Sequence, residues 1–346
     1  MIGVHSRRTS KYTPRTAQKA GEGLTTSAMI ASLDAEGRDV IDAPFGNTLV
    51  DLAKTRDDIV GLSADLAKYT DLHVFAKAFP DRFYQMGMAE QLLLSAAAGM
   101  AREGFMPFAT TYAVFAARRA YDFICMAIAE ERLPVKIICA LPGLTTGYGP
   151  SHQATEDIAI FRGMPGLTII DPCDAVEIEQ ATRAIAATPD PTYMRLLRGK
   201  VPNVLGEYGY QFELGRAKTL RDGNDVLFIS SGFMTMRTLD AAAALQKDGI
   251  DCAVLHCPTI KPLDVDTITR EAAKSGRLVV TAENHSVIGG LGEAVAATLM
   301  RAGVHVPFRQ IGLPDEFLDA GALPTLHDQY GISVSAIIRQ VKAWVK

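Results

Sequence analysis

Along the chain, short runs of branched and aromatic residues alternate with longer stretches whose apolar positions recur every three to four residues. The first pattern is that of strands buried on both faces, the second that of amphipathic helices. Strands are predicted at 58–63, 82–86, 105–110, 135–140, 167–170 and 192–196. Between them helices are predicted at 48–55, 88–102, 114–131, 156–162 and 175–187, with Gly104 and Gly163 where C-caps would fall. The stretch 199–214 breaks this rhythm with Pro202, Gly206 and Gly209 and reads as a linker. A second series follows: strand 225–230, helix 234–247, strand 250–256, helix 265–273, strand 277–282, helix 291–301, strand 307–311 and a closing helix from Ser333. Such alternation builds parallel sheets with helices on both faces. The expected architecture is therefore α/β: an arm at 1–40, a doubly wound parallel sheet in 41–200, a linker at 201–211, and a smaller α/β domain in 212–346.

Composition narrows the function. At 346 residues the chain can bury two cores. A content of 48% hydrophobic and 21% charged residues is that of a folded globular protein. The net charge of −4, without a basic stripe, argues against nucleic acid, and no apolar run approaches the roughly 18 residues of a membrane span. The five cysteines are scattered and lack metal-type spacing, so they read as reduced thiols of a cytoplasmic protein. Cys252 and Cys257 flank His256, but in a strand-like run with no second pair, and are assigned to the core. Arg7, Arg8, Lys11, Arg15 and Lys19 precede the first acid, Glu22; without an apolar face they read as a solvated arm or one lying on another subunit.

Candidate chemistry gathers at the ends of successive predicted strands, where open α/β sheets hold ligands. Glu90 stands at the mouth of an Ala/Leu/Gly-rich helix, in a stretch from Met88 to Met100 that is otherwise uncharged. Its carboxylate is expected to be buried, to have its neutral form favoured, and to share a proton with a specific partner. A second cluster, 110–122, carries Tyr112 and Phe115; a third, Gly147-Tyr148-Gly149-Pro150-Ser151-His152-Gln153, is followed by Glu156-Asp157. Taken singly, Glu90 reads as a helix N-terminal acid, Phe115 as core, and His152 as a loop histidine supporting the Gly149-Pro150 turn. Their joint order reverses those readings.

In that order, the three clusters resemble the pyrimidine domain of transketolases and deoxyxylulose-phosphate synthases. The resemblance extends over nearly the whole chain after about residue 40, through Ile260-Lys261-Pro262-Leu263-Asp264 and Glu283-Asn284-His285 to Gly289-Gly290-Leu291-Gly292. It implies a thiamine-diphosphate enzyme with Glu90 and His152 as catalytic residues. In such an enzyme Glu90 holds N1′ of the aminopyrimidine ring, Phe115 stacks on that ring with Tyr112 beside it, and Asp65 lies where the cofactor meets the boundary between subunits. His152 stands near the 4′-nitrogen and the substrate hydroxyls, and Tyr148 belongs to the same substrate loop. Arg198 matches the arginine that holds the substrate phosphate, a task suited to its planar fork; a strand-end salt bridge is the alternative, and Arg195 is the structural member of the pair. The cofactor supplies the electron sink when the C2–C3 bond of a ketose phosphate breaks, and a two-carbon unit passes to an aldose phosphate such as glyceraldehyde 3-phosphate.

The family marks its diphosphate and magnesium site by Gly-Asp-Gly, which does not occur here; Asp222-Gly223-Asn224 reads as a turn. The chain thus resembles the C-terminal (B) subunit of a split transketolase. It is expected to act only with an N-terminal (A) subunit that carries Gly-Asp-Gly and holds Mg2+ and the diphosphate, in an α2β2 assembly. The substrate loop departs from the common pattern: Thr146-Gly147-Tyr148 replaces an acidic pair, Leu141 stands for a histidine, and Thr26 and Tyr69 for a distal arginine and serine. The loop 144–152 resembles that of split transketolases acting on apulose 4-phosphate, so a branched donor is expected. One alternative is the β subunit of a 2-oxo acid dehydrogenase E1-type enzyme, against which stand Arg198 and the 149–153 loop. Another is a non-catalytic scaffold, against which stand Glu90, Phe115 and His152. The last domain is expected to serve subunit packing, although Glu283 and His285 precede a Gly-rich turn into a helix that could bind an anion.

Overall fold

The apolar runs become strands: β1 (Val40–Asp42), β2 (Ile59–Ser63), β3 (Phe83–Gln85), β4 (Met106–Tyr112), β5 (Lys136–Ala140), β6 (Thr168–Ile170), β7 (Thr192–Leu196) and β8 (Lys200–Pro202). The second half adds β9 (Lys218–Arg221), β10 (Val226–Ser230), β11 (Cys252–His256), β12 (Thr259–Lys261), β13 (Leu278–Ser286) and β14 (Phe308–Leu313). The computed structural model describes residues 34–274 and 276–345; the basic arm and Thr26 lie outside the described residues.

The first sheet has the order β12-β6-β7-β5-β4-β2-β3, parallel throughout except for β12 at its edge. β2, β4, β5 and β7 are buried at every position, which explains runs without polar alternation. Neighbouring residues of one strand feed opposite faces. Ile138 packs with Phe45 and Leu49 of the helix Pro44–Ala53 and Ile178 of the helix Ala175–Ala186; Ile137 packs with Leu93, Leu94 and Ala97 of the helix Glu90–Arg102. This is the doubly wound arrangement the periodicity predicts. The second sheet runs β14-β13-β10-β11-β9, parallel except for β9. Val226 and Phe228 join the first of those cores, and Leu227 and Ile229 the second, so both cores continue across the two units.

Several boundaries differ from the sequence reading. The predicted helix 114–131 is broken into Ala113–Arg119, Tyr121–Ile124 and a π-helical turn Cys125–Ala129, because Ala120 leaves helical geometry at φ −113° and ψ 10°. That break, with the wider turn after it, lets Ile124, Ile128 and Ala129 all face the core. The stretch 199–214 is not a free tether: β8 pairs antiparallel with β1, and Val201, Val204, Leu205 and Tyr210 are buried. Its Pro and Gly residues mark bends in a packed segment. β12, which is not among the predicted strands, crosses to the first sheet and closes its β6 edge.

The seam between the units is polar and fully buried. Arg195 on β7 donates to Asp157 through Nε and Nη2 (2.9 and 2.8 Å), to the Asn284 carbonyl (3.1 Å) and to Asp171 (3.4 Å). Burial pushes the Asp157 carboxyl up, yet the Arg195 charge and its hydrogen bonds outweigh that and hold it below the usual carboxylate range. The Asp171 carboxylate also accepts from Ser231 Oγ (2.8 Å), and its backbone carbonyl from the Gly232 N–H (2.9 Å), just beyond β10. These contacts fill the switch point between β10 and β13, where a second ligand crevice would open. Nearby, Glu283 accepts from the N–H groups of Leu291 and Gly292 (2.6 and 2.8 Å). The helix N-terminus that the sequence offered to an anion is thus capped by the chain's own carboxylate.

The second unit also fastens the 141–153 loop of the first. The Leu144 N–H donates to Asn284 Oδ1 (2.9 Å), Gly321 N–H to the Gly147 carbonyl (3.0 Å), and Gln153 Nε2 to the Asp319 carbonyl (3.1 Å). A Cβ on Gly147 would overlap the Gly321 carbonyl, so glycine is required by the close approach. His327 Nε2 bonds the Leu144 carbonyl (2.7 Å) and its Nδ1 faces Arg237 Nη2 (2.9 Å). A carbonyl only accepts and a guanidinium only donates, so the ring is neutral with its proton on Nε2. Burial, then the Arg237 charge, push its pKa from 6.5 down to about 3.

The seam can be tested at two residues. Arg195→Met leaves Asp157 buried without its cation and should cost roughly 3–5 kcal/mol in chemical denaturation; a loss below about 1 kcal/mol would show that the pair is dispensable. At His327, a depressed folded-state pKa gives stability that is complete above pH 6.5 and is lost as pH falls toward 3. The melting temperature of the wild type should therefore fall more steeply below pH 6.5 than that of His327→Gln, and parallel curves would remove His327 as the cause.

Candidate functional site

Strand order reverses at β2, with β3 on one side and β4 on the other, and open α/β sheets place their ligands beyond the carboxyl ends of the strands at such a point. After β3 the chain turns at Gly87 (φ 74°) and enters the helix Glu90–Arg102 at its first residue. Glu90 retains 2% of its side-chain surface. Its charge partner in this chain is a cation. Arg119 Nη1 lies 3.4 Å from both carboxylate oxygens. The break at Ala120 makes Arg119 the last residue of its helix, and this places the guanidinium beside Glu90. The same guanidinium stacks 4.1 Å over the centre of the Phe115 ring.

Phe115 belongs to an aromatic cluster. Its centroid is 5.7 Å from that of Tyr112, and the His152 ring stands edge-on to Phe115 (5.5 Å), Tyr112 (6.2 Å) and Tyr148 (5.5 Å). Tyr112 ends β4 and is buried, whereas Tyr148 is largely exposed at the rim. His152 Nδ1 is 2.9 Å from Ser151 Oγ. Its loop is tied to the helix Ala113–Arg119 by Arg118, which pairs with Glu156 and donates to the carbonyls of Pro150 (2.8 Å) and Gln153 (3.3 Å). At the end of β5, Leu141 is buried at φ 56°, a left-handed conformation uncommon for leucine and often found beside functional sites.

Arg198 follows β7 and lies 5.2 Å over the Tyr69 ring. Burial lowers its pKa, opposed by Tyr112, Asp71, Tyr69 and Tyr148, so the guanidinium shares the field of the aromatic cluster. Behind it, Asp71 accepts from the Gly199 N–H (3.0 and 3.1 Å) and is pushed up to about 6 by burial. Asp65, at φ 60° beyond β2, stands apart and exposed: its N–H donates to Gln85 Oε1 (2.7 Å), and its carboxylate accepts from Gln85 Nε2 (3.4 Å).

The structure thus joins Tyr112, Phe115, Tyr148 and His152 by ring contacts and Glu90 through Arg119. It sets Arg198 beside this group and leaves Asp65 with Gln85. Sequence reasoning passed over His327, and it included Arg118, Arg119 and Asn284 within longer motifs without giving them a role. Only the paired arginines gave a local signal, two adjacent cations closing an otherwise apolar helical turn. Among the described residues no cluster of three or more His, Cys, Asp or Glu could hold a metal ion, and no helix is long and apolar enough to cross a membrane. All five cysteines are free thiols, and His256 faces Glu177 (2.8 and 2.9 Å) rather than Cys252 or Cys257.

Comparison with known proteins identifies the two units. Residues 41–203 match the transketolase pyrimidine binding domain, and residues 215–337 the transketolase C-terminal domain. A transketolase family protein of Sinorhizobium fredii is 70% identical over 98% of this chain and 99% of its own. A 6-deoxy-6-sulfo-D-fructose transketolase subunit of a Clostridium species is 37% identical over 85% of this chain and 91% of its own. A subunit of the apulose-4-phosphate transketolase of Phocaeicola vulgatus is 35% identical over 87% and 96%. A solved split-gene transketolase, described as an inactive β4 tetramer, superposes with a TM-score of 0.79 at 38% identity, covering 87% of this chain and 96% of that one. With a pyrimidine-binding domain followed by a C-terminal domain, the chain belongs to the transketolase family.

Proposed function

We propose that the chain is the C-terminal (B) subunit of a split transketolase, holding the pyrimidine half of thiamine diphosphate and moving a two-carbon ketol unit from a ketose phosphate to an aldose phosphate. The observation that carries this reading is the meeting, at one switch point, of a buried carboxylate, a Tyr112–Phe115–His152 cluster and an arginine. Relatives named as transketolase subunits are matched over nearly their whole length, which supports the subunit reading.

The residues fit the cofactor. Glu90 is positioned to hold a proton at N1′ in a site screened from water, and Phe115 with Tyr112 offers aromatic faces to the ring. When bound, the cofactor supplies the electron sink for cleaving the donor's C2–C3 bond. His152 exchanges protons with substrate hydroxyls, Tyr148 screens the mouth, and the Arg198 fork holds the terminal anion. Asp65 lies at the boundary between subunits. The partner (A) subunit contributes Gly-Asp-Gly, Mg2+ and the diphosphate contacts in an α2β2 assembly in the cytoplasm, a location to which the free thiols are suited.

Two relatives are named for different donors, and a guanidinium fork suits a sulfonate as well as a phosphate. The loop favours the branched apulose 4-phosphate: Thr146 and Gly147 are small, Tyr148 is aromatic, and none is a carboxylate reading a linear sugar's hydroxyl. The E1-type β subunit is the second reading; it lacks support from Arg198 beside the cluster.

With a Gly-Asp-Gly partner, thiamine diphosphate and Mg2+, the pair should transfer from apulose 4-phosphate to glyceraldehyde 3-phosphate. The chain alone should not, and robust turnover without a partner refutes the split reading. A far better donor in xylulose 5-phosphate removes the branched-donor assignment, and pyruvate decarboxylation onto a lipoyl acceptor supports the E1 reading. Glu90→Ala should lower transfer by about a hundredfold or more; unchanged transfer would make the chain a scaffold. Arg198→Met should raise the KM for the phosphorylated donor about 10- to 100-fold, the worth of a charged hydrogen-bond pair, with little effect on a dephosphorylated analogue.

A further inference from the structure

One guanidinium, that of Arg119, makes both contacts that the proposed function assigns to the cofactor's aminopyrimidine ring. It is planar, it donates N–H groups to the Glu90 carboxylate (3.4 Å to each oxygen), and its flat face lies 4.1 Å over Phe115. An aminopyrimidine held by Glu90 and Phe115 would require the same carboxylate and the same aromatic ring. The guanidinium and the ring thus call on the same two side chains.

Arg119 is also free to leave. Half of its side-chain surface is exposed, it ends its helix, and Ala120 departs from helical geometry directly after it. Its neighbour shows the opposite design: Arg118 is tied to Glu156 and to the carbonyls of Pro150 and Gln153, all on the loop that carries His152. One arginine fastens the His152 loop, and the other contacts Glu90 and Phe115. Without either Arg119 or a cofactor, the buried Glu90 would have no charge partner among the described residues, and such a carboxylate is costly. The Arg119 contact relieves that cost until a ring arrives.

We propose that Arg119 is a placeholder in the chain without cofactor: its guanidinium occupies the aminopyrimidine place between Glu90 and Phe115, and it must swing toward solvent before the ring can enter. This rests on the pyrimidine-site reading above. Arg119 thereby couples cofactor loading to a side-chain rearrangement at the mouth of the site, and the empty chain binds the ring more weakly than its bare site would.

The test is titration of thiamine, which lacks the diphosphate and so needs no partner contacts there, into the purified full chain by calorimetry. Arg119→Met should bind thiamine about tenfold more tightly than the wild type, the combined worth of a half-exposed ion pair and a cation–π contact. Arg119→Gln, uncharged and shorter, should show a gain in the same direction, and it replaces Arg119→Met should that variant fail to melt cooperatively. Adding Glu90→Ala to either should abolish the gain. Equal or weaker binding by both variants overturns the proposal and makes Arg119 a fixed partner of Glu90. Absence of binding by every chain overturns it too, since a place that accepts no ring when emptied is not being held for one. Neither result touches the pyrimidine-site reading, which stands or falls on the effect of Glu90→Ala on transfer by the assembled pair.

Discussion

A guanidinium cut off from water, that of Arg195, ties together the parts on which the candidate site depends. Asp157, its bidentate partner, opens the helix Asp157–Arg162 just after the His152 loop; Arg195 itself precedes Arg198 by three residues on the same stretch of chain. Through the Asn284 carbonyl and Asp171 it also reaches β13 and the end of β6. A buried ion pair is a poor source of net stability, because desolvation offsets most of the attraction, but breaking one is severe. Its value here is positional. It fixes two strand ends and a loop in a single relative placement.

The same seam occupies the place where the second domain would open a ligand crevice of its own. An open parallel sheet normally leaves a crevice where its strand order reverses. In this domain that crevice is filled by Asp171, held by Ser231 and the Gly232 N–H, while Glu283 caps the adjacent helix. What remains available is its outer rim, and residues 319–327 use it to brace the 141–153 loop. A neutral His327 suits this role, since it can donate to the Leu144 carbonyl and accept from Arg237 at once.

Around Glu90 the electrostatic logic is different. The helix it opens carries no other charge before Arg102, and the charge partner of the buried carboxylate among the described residues comes from a different helix. Arg119 meets Phe115 and Glu90 together because the helix ends one residue later. Aromatic rings then extend the cluster to His152 and Tyr148, so exposure rises from the buried acid to the rim.

Local pattern determined much of this protein. Buried strands write themselves as apolar runs, as at Ile59–Ser63 and Lys136–Ala140, and an acid in an uncharged stretch announced the burial of Glu90. The clusters at strand ends followed from the same reading, because a parallel sheet brings all its carboxyl ends to one side. Other features were decided only by tertiary structure. The 199–214 segment looked like a tether until β1 supplied a pairing partner for β8, and β12 joined a sheet whose other strands lie more than sixty residues earlier. The helix after Tyr112 read as continuous because its residues are good helix formers; packing of Ile124 and Ile128 against the sheet broke it and set Arg119 beside Glu90. Propensity and periodicity act over a few residues, whereas ion pairs, edge pairing and interdomain bracing depend on which distant surfaces meet, and that is fixed only when the whole chain packs.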